Sequence, residues 1–495
     1  MSPRQHPATA IATPERRERS GAPVAGDASP LEAGLRSLVD RARSRPDPTL
    51  VSCTVPVPRR DPIELFAAAR SLGLDPALWL APAERFALVG IGAAWAVRPT
   101  GPGRFREAAA AWTSVARGAL VSGDAPGQRG AGPLLLGGFA FAPESRRNGA
   151  AWSGFDSAAL VLPRLLFTVS DGNAWLTASA VVEPGNAGSG AAGRIVAGLE
   201  SAWAELDRAG VSVPLTPAVD MLQATGIVPE AAWQAAVIRL AGAVGRGRVD
   251  KVVLARQVEV SADAPIDVPA VLRRLEASAP ESTVFAFSRG PRTFLGATPE
   301  RLVRTDGRDF RTVAMAGSIG RGSDEEDDAR LAAELLRSEK EREEHRVVVD
   351  MLRETLGPLA ARLDVEPAAH VIRLRHIQHL VTLVSGRLRE QAGILDLVER
   401  LHPTPAVGGA PRELALALLE EEERLDRGWY AGPVGWLDRR GDGEFVVAIR
   451  SGVVNGASAS LFTGCGIVAD SEPAREWEES QVKLRALASA LRRLP

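Results

Sequence analysis

The chain has 495 residues, 45% of them hydrophobic and 24% charged, with a formal net charge of −2. This is the composition of an ordinary soluble protein long enough for a large core, and its near-neutral charge offers no basic field for nucleic acid or an anionic membrane. Two cysteines, Cys53 and Cys465, are too few for a disulfide framework and fit a reducing cytoplasm.

No apolar run is long enough to span a bilayer, and the N-terminus lacks the apolar core of a secretory signal. The expectation is a cytoplasmic protein with no nucleic-acid or membrane partner. Residues 1–30 are rich in Pro, Ala, Arg and Ser and read as a disordered tail. Order is predicted to start at Leu31, with LEAGLRSLVDRA as a helix and LVSCTVPV as a strand. GPLLLGGFAF and ALVLPRLLFTVS read as buried strands. Pro184–Gly193 (PGNAGSGAAG) reads as a loop, and GVSVPLTPAVDML as the link into the second half. The predicted division is therefore 1–30, 31–225 and 226–495. In the last part EAAWQAAVIRLAGAVGRG reads as a helix and KVVLARQVEV as a strand. STVFAFSRG, TFLGATPERLVRT and DFRTVAMAGSIGRG read as a meander, and one long helix is predicted from Asp327 to Leu356. No internal repeat has a fixed period.

The ionisable residues of 226–495 are oddly placed. In DKVVLAR the alternation of a strand puts Lys251 on the face of Val253 and Ala255, and Arg256 on the face of Val252 and Leu254. Arg450 in EFVVAIRSG would share a strand face with Val446 and Ala448. Glu300 follows a proline at a strand turn in GATPERL. Glu344 falls on the helical stripe of Val347, Val348 and Met351, and Glu476, Glu479 and Lys483 stand at i, i+3 and i+7 in REWEESQVKL. TGCGIV supplies Gly464 and Gly466, where backbone could approach a ligand closely.

Each signal has an ordinary explanation when taken singly. A strand-end lysine snorkels to water. Glu479 and Lys483 make a surface pair, and SEKEREEH a solvated helix face. Gly-Cys-Gly can be a bulge, HPTP a rigid turn, and His379 a packed histidine.

The combination is more specific. KVVLAR, LGATPERL, AGS, KEREEH, QHL, LHPTPAVGG, GWYAGPVGW, VVAIRSG and GCGIVADSEPAREWEES occur in this order. They resemble the chorismate-utilising enzymes over residues 229–494, and within that family the isochorismate synthases of menaquinone-pathway type most closely. Residues 31–220 resemble the family's variable N-terminal part only loosely. The resemblance implies an α+β fold, with central antiparallel sheets, helices outside, and strands from the N-terminal part built into the same body.

The resemblance also implies roles. Lys251 is the general base that activates water for attack at C2 of chorismate, and Glu300 is the general acid that protonates the departing C4 hydroxyl. That chemistry needs a neutral amine and a protonated carboxyl, and burial favours both. Ammonia-using relatives commonly carry glutamine at the position of Lys251, so water is the implied nucleophile and no glutaminase subunit is expected. Glu344 and Glu479 are implied ligands of Mg²⁺, with Glu476 close by. The substrate is implied to meet Tyr430, Arg450 and Lys483 at its enolpyruvyl carboxylate, backbone near Gly317, Ser318, Gly464 and Gly466, and His379 beside the ring. Glu341 stands where the family usually has aspartate, and its role is left open. A monomer or weak homodimer is expected.

Salicylate synthases share this lysine and glutamate and then eliminate pyruvate. They usually carry threonine where this chain has Ala406, which favours a product that stops at isochorismate. Anthranilate and aminodeoxychorismate synthases fit less well, and a catalytically dead chorismate-binding protein disagrees with a complete set of reactive groups.

Overall fold

A computed structural model describes residues 29–123, 125, 127–144, 150–184, 191–209, 222–373, 377–423 and 425–491. All of the predicted tail but Ser29 and Pro30, which cap and open the first helix, most of the Pro184–Gly193 loop and nearly all of the predicted link lie outside the described residues. The fold is α+β, with two large sheets and helices around them. Among the described residues, pairing is antiparallel throughout except that Thr49–Pro56 lies parallel to Leu120–Gly123.

Alternation in the strands builds the layers. In Thr283–Arg289, Phe285 and Phe287 join the core between the sheets, while Val284 and Ala286 join the core beneath the outer helices. The first sheet has 13 strands and mixes both parts of the chain. Its middle is the pairing of Thr283–Arg289 with Ala77–Ala81, where Val284 faces Leu80 and Phe287 faces Ala77. The 10-stranded second sheet does the same through Val434 and Gly138. No helix of the described residues is long and apolar enough to cross a membrane.

Two passages between the sheets place the site. The chain leaves the first sheet at Thr298 and enters the second at Arg301; it returns from Val447 to Ser451. The passages lie side by side. Gly296 pairs with Ser451 and Arg301 with Val446. The Val447 N–H donates to the Glu300 carbonyl at 3.0 Å, and the Ala297 N–H to the Arg450 carbonyl at 3.3 Å. TFLGATPERLVRT is therefore two strands in different sheets, with Pro299 and Glu300 at the joint. Arg450 does not continue a strand face with Val446 and Ala448. It occupies the other joint with φ of 54°, a left-handed backbone that a non-glycine residue adopts at a cost, mostly at functional sites.

The long predicted helix is two, Glu325–Arg337 and Glu339–Leu356. Ser338 breaks it with an extended backbone and caps the second helix by accepting the Glu341 N–H. Serine competes for backbone hydrogen bonds and so favours such a position.

Candidate active site

Lys251 opens the strand Lys251–Ala262, hereafter the lysine strand, which pairs along Ser458–Ile467 with Val253 opposite Gly466 and Ala255 opposite Gly464. A Cβ on Gly466 would lie 2.5 Å from Lys251 Cε and 3.2 Å from Nζ, so the lysine stem occupies the space that this glycine leaves. At Gly464 an added Cβ would press on the Leu254 carbonyl at 3.0 Å and touch the Tyr430 hydroxyl at 3.4 Å. Lys251 is not enclosed by apolar neighbours as the strand pattern implies. Its side chain is 30% exposed, and Nζ lies 3.5 Å from Glu344 Oε1. The reason is its place at the strand's first residue, beyond the packed stretch of Val253 and Ala255.

The opposite face of the strand has a structural task. Arg256 is buried, stacks 3.9 Å from the Trp477 ring centre and donates to Ser480 Oγ at 2.9 Å. Both partners belong to the final helix, Pro473–Leu491, which carries Glu476, Glu479 and Lys483.

Glu300 is held by its joint. Its N–H donates to Thr298 Oγ1 at 3.2 Å, and its carboxylate accepts from Thr404 Oγ1 at 3.4 Å. Burial pushes the Glu300 carboxyl up to about 7. The Thr404 hydrogen bond and the charges of Lys251, Arg450 and Lys483 pull the other way and only moderate the rise. The carboxyl is thus poised to donate a proton near neutral pH.

Three cations, Lys251, Arg450 and Lys483, act on this acid, and Tyr430 lies in the electrostatic reach of Arg450. Arg450 donates to the Lys483 carbonyl at 3.2 Å. Lys483 Nζ lies 2.5 Å from Glu479 Oε1 and donates to the Gly464 carbonyl at 3.2 Å. Tyr430 stacks on Phe462 with ring centres 5.3 Å apart, and burial keeps its hydroxyl protonated far above neutrality. A guanidinium, an ammonium and a hydroxyl gathered in one region suit a carboxylate ligand, which would compete with Glu479 for Lys483.

The carboxylates come from two helices. Glu344 does not lie on a core stripe: its side chain is 44% exposed and Val347 is 49% exposed. The buried face of that helix is instead His345, Leu352 and Leu356. His345 fixes the helix through the Ala316 carbonyl at 3.1 Å and Thr382 Oγ1 at 2.7 Å, leaving Glu344 free to face Lys251. Glu341 accepts the Ser318 N–H at 2.9 Å, which assigns the residue left open to holding the Gly317 bulge. Gly317 itself has φ of 77° and a Cβ would press on the Glu341 backbone, so the bulge needs glycine. Ser318 Oγ and His379 Nδ1 are 2.8 Å apart, and burial lowers the His379 pKa.

Glu476 and Glu479 present oxygens within 4.8 Å of each other and of Cys465 Sγ. Glu476 Oε1 accepts from Ser471 at 2.8 Å, but its buried Oε2 has no partner. Burial is the largest cause that raises the Glu476 pKa, and Glu479 adds to it. Such a pair of crowded, half-satisfied carboxylates fits a hard divalent cation. Cys465 fits less well: burial pushes its thiol up to about 12, and it donates to the Glu476 carbonyl at 3.2 Å. Glu344 stands outside that group of three, paired with Lys251.

Lys251, Glu300, Arg450, Lys483, Tyr430 and Gly464 are thus tied together by contacts or charge. Gly317, Ser318 and His379 form a second set on the second sheet, and His379 feels the charges of Arg450 and Lys483. Ala406 is exposed in the turn after Thr404. Thr404 and His345 were not singled out from sequence. A hydroxyl in a proline-flanked turn and a histidine in a charged helix carry no local sign of their partners.

Comparison with known proteins gives concordant results. The family described as chorismate binding enzyme matches residues 37–492. The isochorismate synthase MenF of Bacillus subtilis is 36% identical over 449 residues, covering 89% of this chain and 93% of that protein. The salicylate biosynthesis isochorismate synthase of Pseudomonas aeruginosa is 35% identical over 471 residues, 95% and 96% of the two chains. The solved structure of MenF, the menaquinone-specific isochorismate synthase from Escherichia coli, is similar with a TM-score of 0.75 and 25% identity, covering 93% of this chain and 100% of that one.

Proposed function

The chain belongs to the chorismate-binding enzyme family, and from that premise we propose that it is an isochorismate synthase, an isomerase that interconverts chorismate and isochorismate. One observation carries the reading most: an acid held near neutrality, Glu300, in the electrostatic reach of an amine, Lys251, that lies along a glycine-lined groove. Lys251 accepts a proton from water as its oxygen bonds to C2. Both ring double bonds shift, from C1–C2 to C1–C6 and from C5–C6 to C4–C5, and the C4–oxygen bond breaks as Glu300 delivers its proton to that oxygen, which departs as water. One water enters and one leaves. The reverse reaction exchanges the two roles, and a carboxyl near pH 7 serves both directions.

Chorismate brings two carboxylates. Arg450, Lys483 and the Tyr430 hydroxyl receive the enolpyruvyl carboxylate, with the backbone at Gly464 and Gly466 closing the approach. Gly317, Ser318 and His379 line the ring side, and Ala406 lies at the edge of the pocket. Mg²⁺, held by Glu344, Glu476 and Glu479, would neutralise the ring carboxylate beside these acids. Glu344 and Glu479, now paired with Lys251 and Lys483, would hold the ion in place of those partners, which would leave the Lys251 amine to the substrate. Water as nucleophile makes a glutaminase subunit unnecessary, and the enzyme works in the cytoplasm.

The test is incubation of the purified protein with chorismate and Mg²⁺, followed by product identification. Isochorismate in equilibrium with chorismate is expected, and silence in excess chelator. Stoichiometric salicylate and pyruvate would assign a salicylate synthase instead.

A further inference from the structure

Glu423 and Arg427 form an ion pair sealed in the interior, 7% and 4% exposed, which the chemistry above does not use. Arg427 donates to the Glu423 carboxylate through Nε and Nη2, each at 2.6 Å. Its other bonds go to main chain: Nη2 to the Val253 carbonyl at 2.6 Å and Nη1 to the Val407 carbonyl at 2.8 Å. Glu423 in turn accepts the Ala255 N–H at 2.8 Å. On this edge of the lysine strand, pairing with Gly409–Ala410 reaches only Lys251 and Val252, and pairing with Leu222–Gly226 begins at Val258. The ion pair fills the gap, giving Val253 and Ala255 the partners that a neighbouring backbone would otherwise supply.

Both ends of this device reach the chemistry. Val253 is two residues from Lys251. Val407 belongs to a turn in which the Val407 and Gly408 N–H groups donate to the Thr404 carbonyl at 3.1 and 2.9 Å. The Gly408 carbonyl accepts the Val253 N–H at 3.1 Å, and the Thr404 hydroxyl donates to Glu300.

We propose that Arg427, oriented by Glu423, is the positioning residue that locks the Thr404–Gly408 turn to the lysine strand and so fixes the hydrogen bond from Thr404 to Glu300. The inference rests on the reading of Lys251 and Glu300 as base and acid. A buried ion pair is a poor way to gain stability alone, because desolvation offsets the attraction. What an apolar pair of the same volume lacks is this set of directed bonds to two separate segments.

Glu300 is faced by Lys251 from the lysine strand, Arg450 from the neighbouring joint, Lys483 from the final helix and the Thr404 hydroxyl from the turn. All four favour its ionised form. Loss of the hydroxyl leaves burial less opposed, so the acid keeps its proton to higher pH and the basic limb of the rate profile moves up.

The experiment is the pH dependence of kcat/KM at saturating Mg²⁺ for wild type, Thr404→Val, Thr404→Ser, Arg427→Lys and the Thr404→Val/Arg427→Lys double variant, with circular dichroism as a check on folding. Thr404→Val should raise the basic limb and Thr404→Ser restore it. Arg427→Lys should lower kcat about 10–100-fold with KM changed little, and raise the limb in the same direction. The double variant should shift it no further than Thr404→Val alone, because both act on one contact. A folded Arg427→Lys protein with a wild-type limb, or shifts that add in the double variant, would overturn the proposal. Should Arg427→Lys not fold, Glu423→Gln decides: it keeps an acceptor for Ala255 and weakens only the pair, so a raised limb supports the proposal and an unchanged one overturns it. A wild-type protein that does not turn over chorismate overturns the proposed function, and this inference with it.

Discussion

In the proposed reaction Lys251 and Glu300 are a half-buried amine and a half-buried acid, and each has a distinct signature. Replacing Lys251 with Gln leaves the groove occupied by a side chain that cannot take a proton. Turnover should fall about 10²–10⁴-fold while chorismate still binds, measured by initial rates alongside equilibrium binding. Glu300 also makes stability depend on pH. Its folded pKa, about 7, lies above the ordinary carboxylate range, so the unfolded chain ionises first as pH rises. The stabilising contribution of the neutral acid is complete at low pH and is lost as pH climbs to about 7. Glu300→Gln should therefore melt higher than wild type at pH 8, by on the order of 2–3 kcal/mol, with the gap closing at pH 4, while abolishing turnover. Equal melting shifts at both pH values would contradict the raised acid. Lys251 was legible in sequence because an ammonium in line with valine and alanine breaks a strand pattern. Its surroundings were not, since Glu344 is 93 residues away. Thr404, 104 residues from Glu300, left no local trace at all.

At the scale of elements, the site depends on a glycine strand and a helix anchored from behind. Gly466→Ala sets a methyl against the far end of Lys251, an arm that can swing aside at low cost. The variant should fold and melt like wild type yet lose at least about tenfold in kcat, since the amine is displaced from its groove. Wild-type turnover would show that the stem does not need this path. The final helix presents Glu479 and Glu476 because Arg256, Trp477 and Ser480 fix its inner face. Glu479→Ala should abolish Mg²⁺-dependent turnover and weaken Mg²⁺ binding measured by calorimetry; undiminished Mg²⁺ affinity would remove Glu479 from the ligand set. Spacing i, i+3, i+7 was sufficient to see this helix face. It misjudged the helix of Glu344, because Val347 is apolar but exposed, and a charged run hides His345, the residue that actually anchors it. The break at Ser338 was likewise invisible to periodicity, which continues in phase across it.

In the whole molecule, the site exists because two sheets exchange strands. The joints at Pro299–Glu300 and Ala448–Arg450 lie side by side, and the sheets are tied by ion pairs that cross between them. Glu84, between two strands of the first sheet, meets Arg304 of the second at 2.9 Å and also binds Arg301 and Arg129, while Arg301 reaches the fully buried Glu444 at 2.7 Å. The antiparallel α+β class followed from the motifs, but the exchange did not: alternation marks a strand's two faces, not the sheet it joins. The joints hold a carboxyl and a guanidinium at the seam of the sheets, beside the amine of the lysine strand, and in the proposed reaction these groups take a water from solvent and return another. That claim is tested most directly by running the enzyme on chorismate in water enriched in oxygen-18. Isochorismate formed by the wild type should carry one solvent oxygen, at C2. Isochorismate that retains the substrate's own C4 oxygen, with no label, would contradict the account.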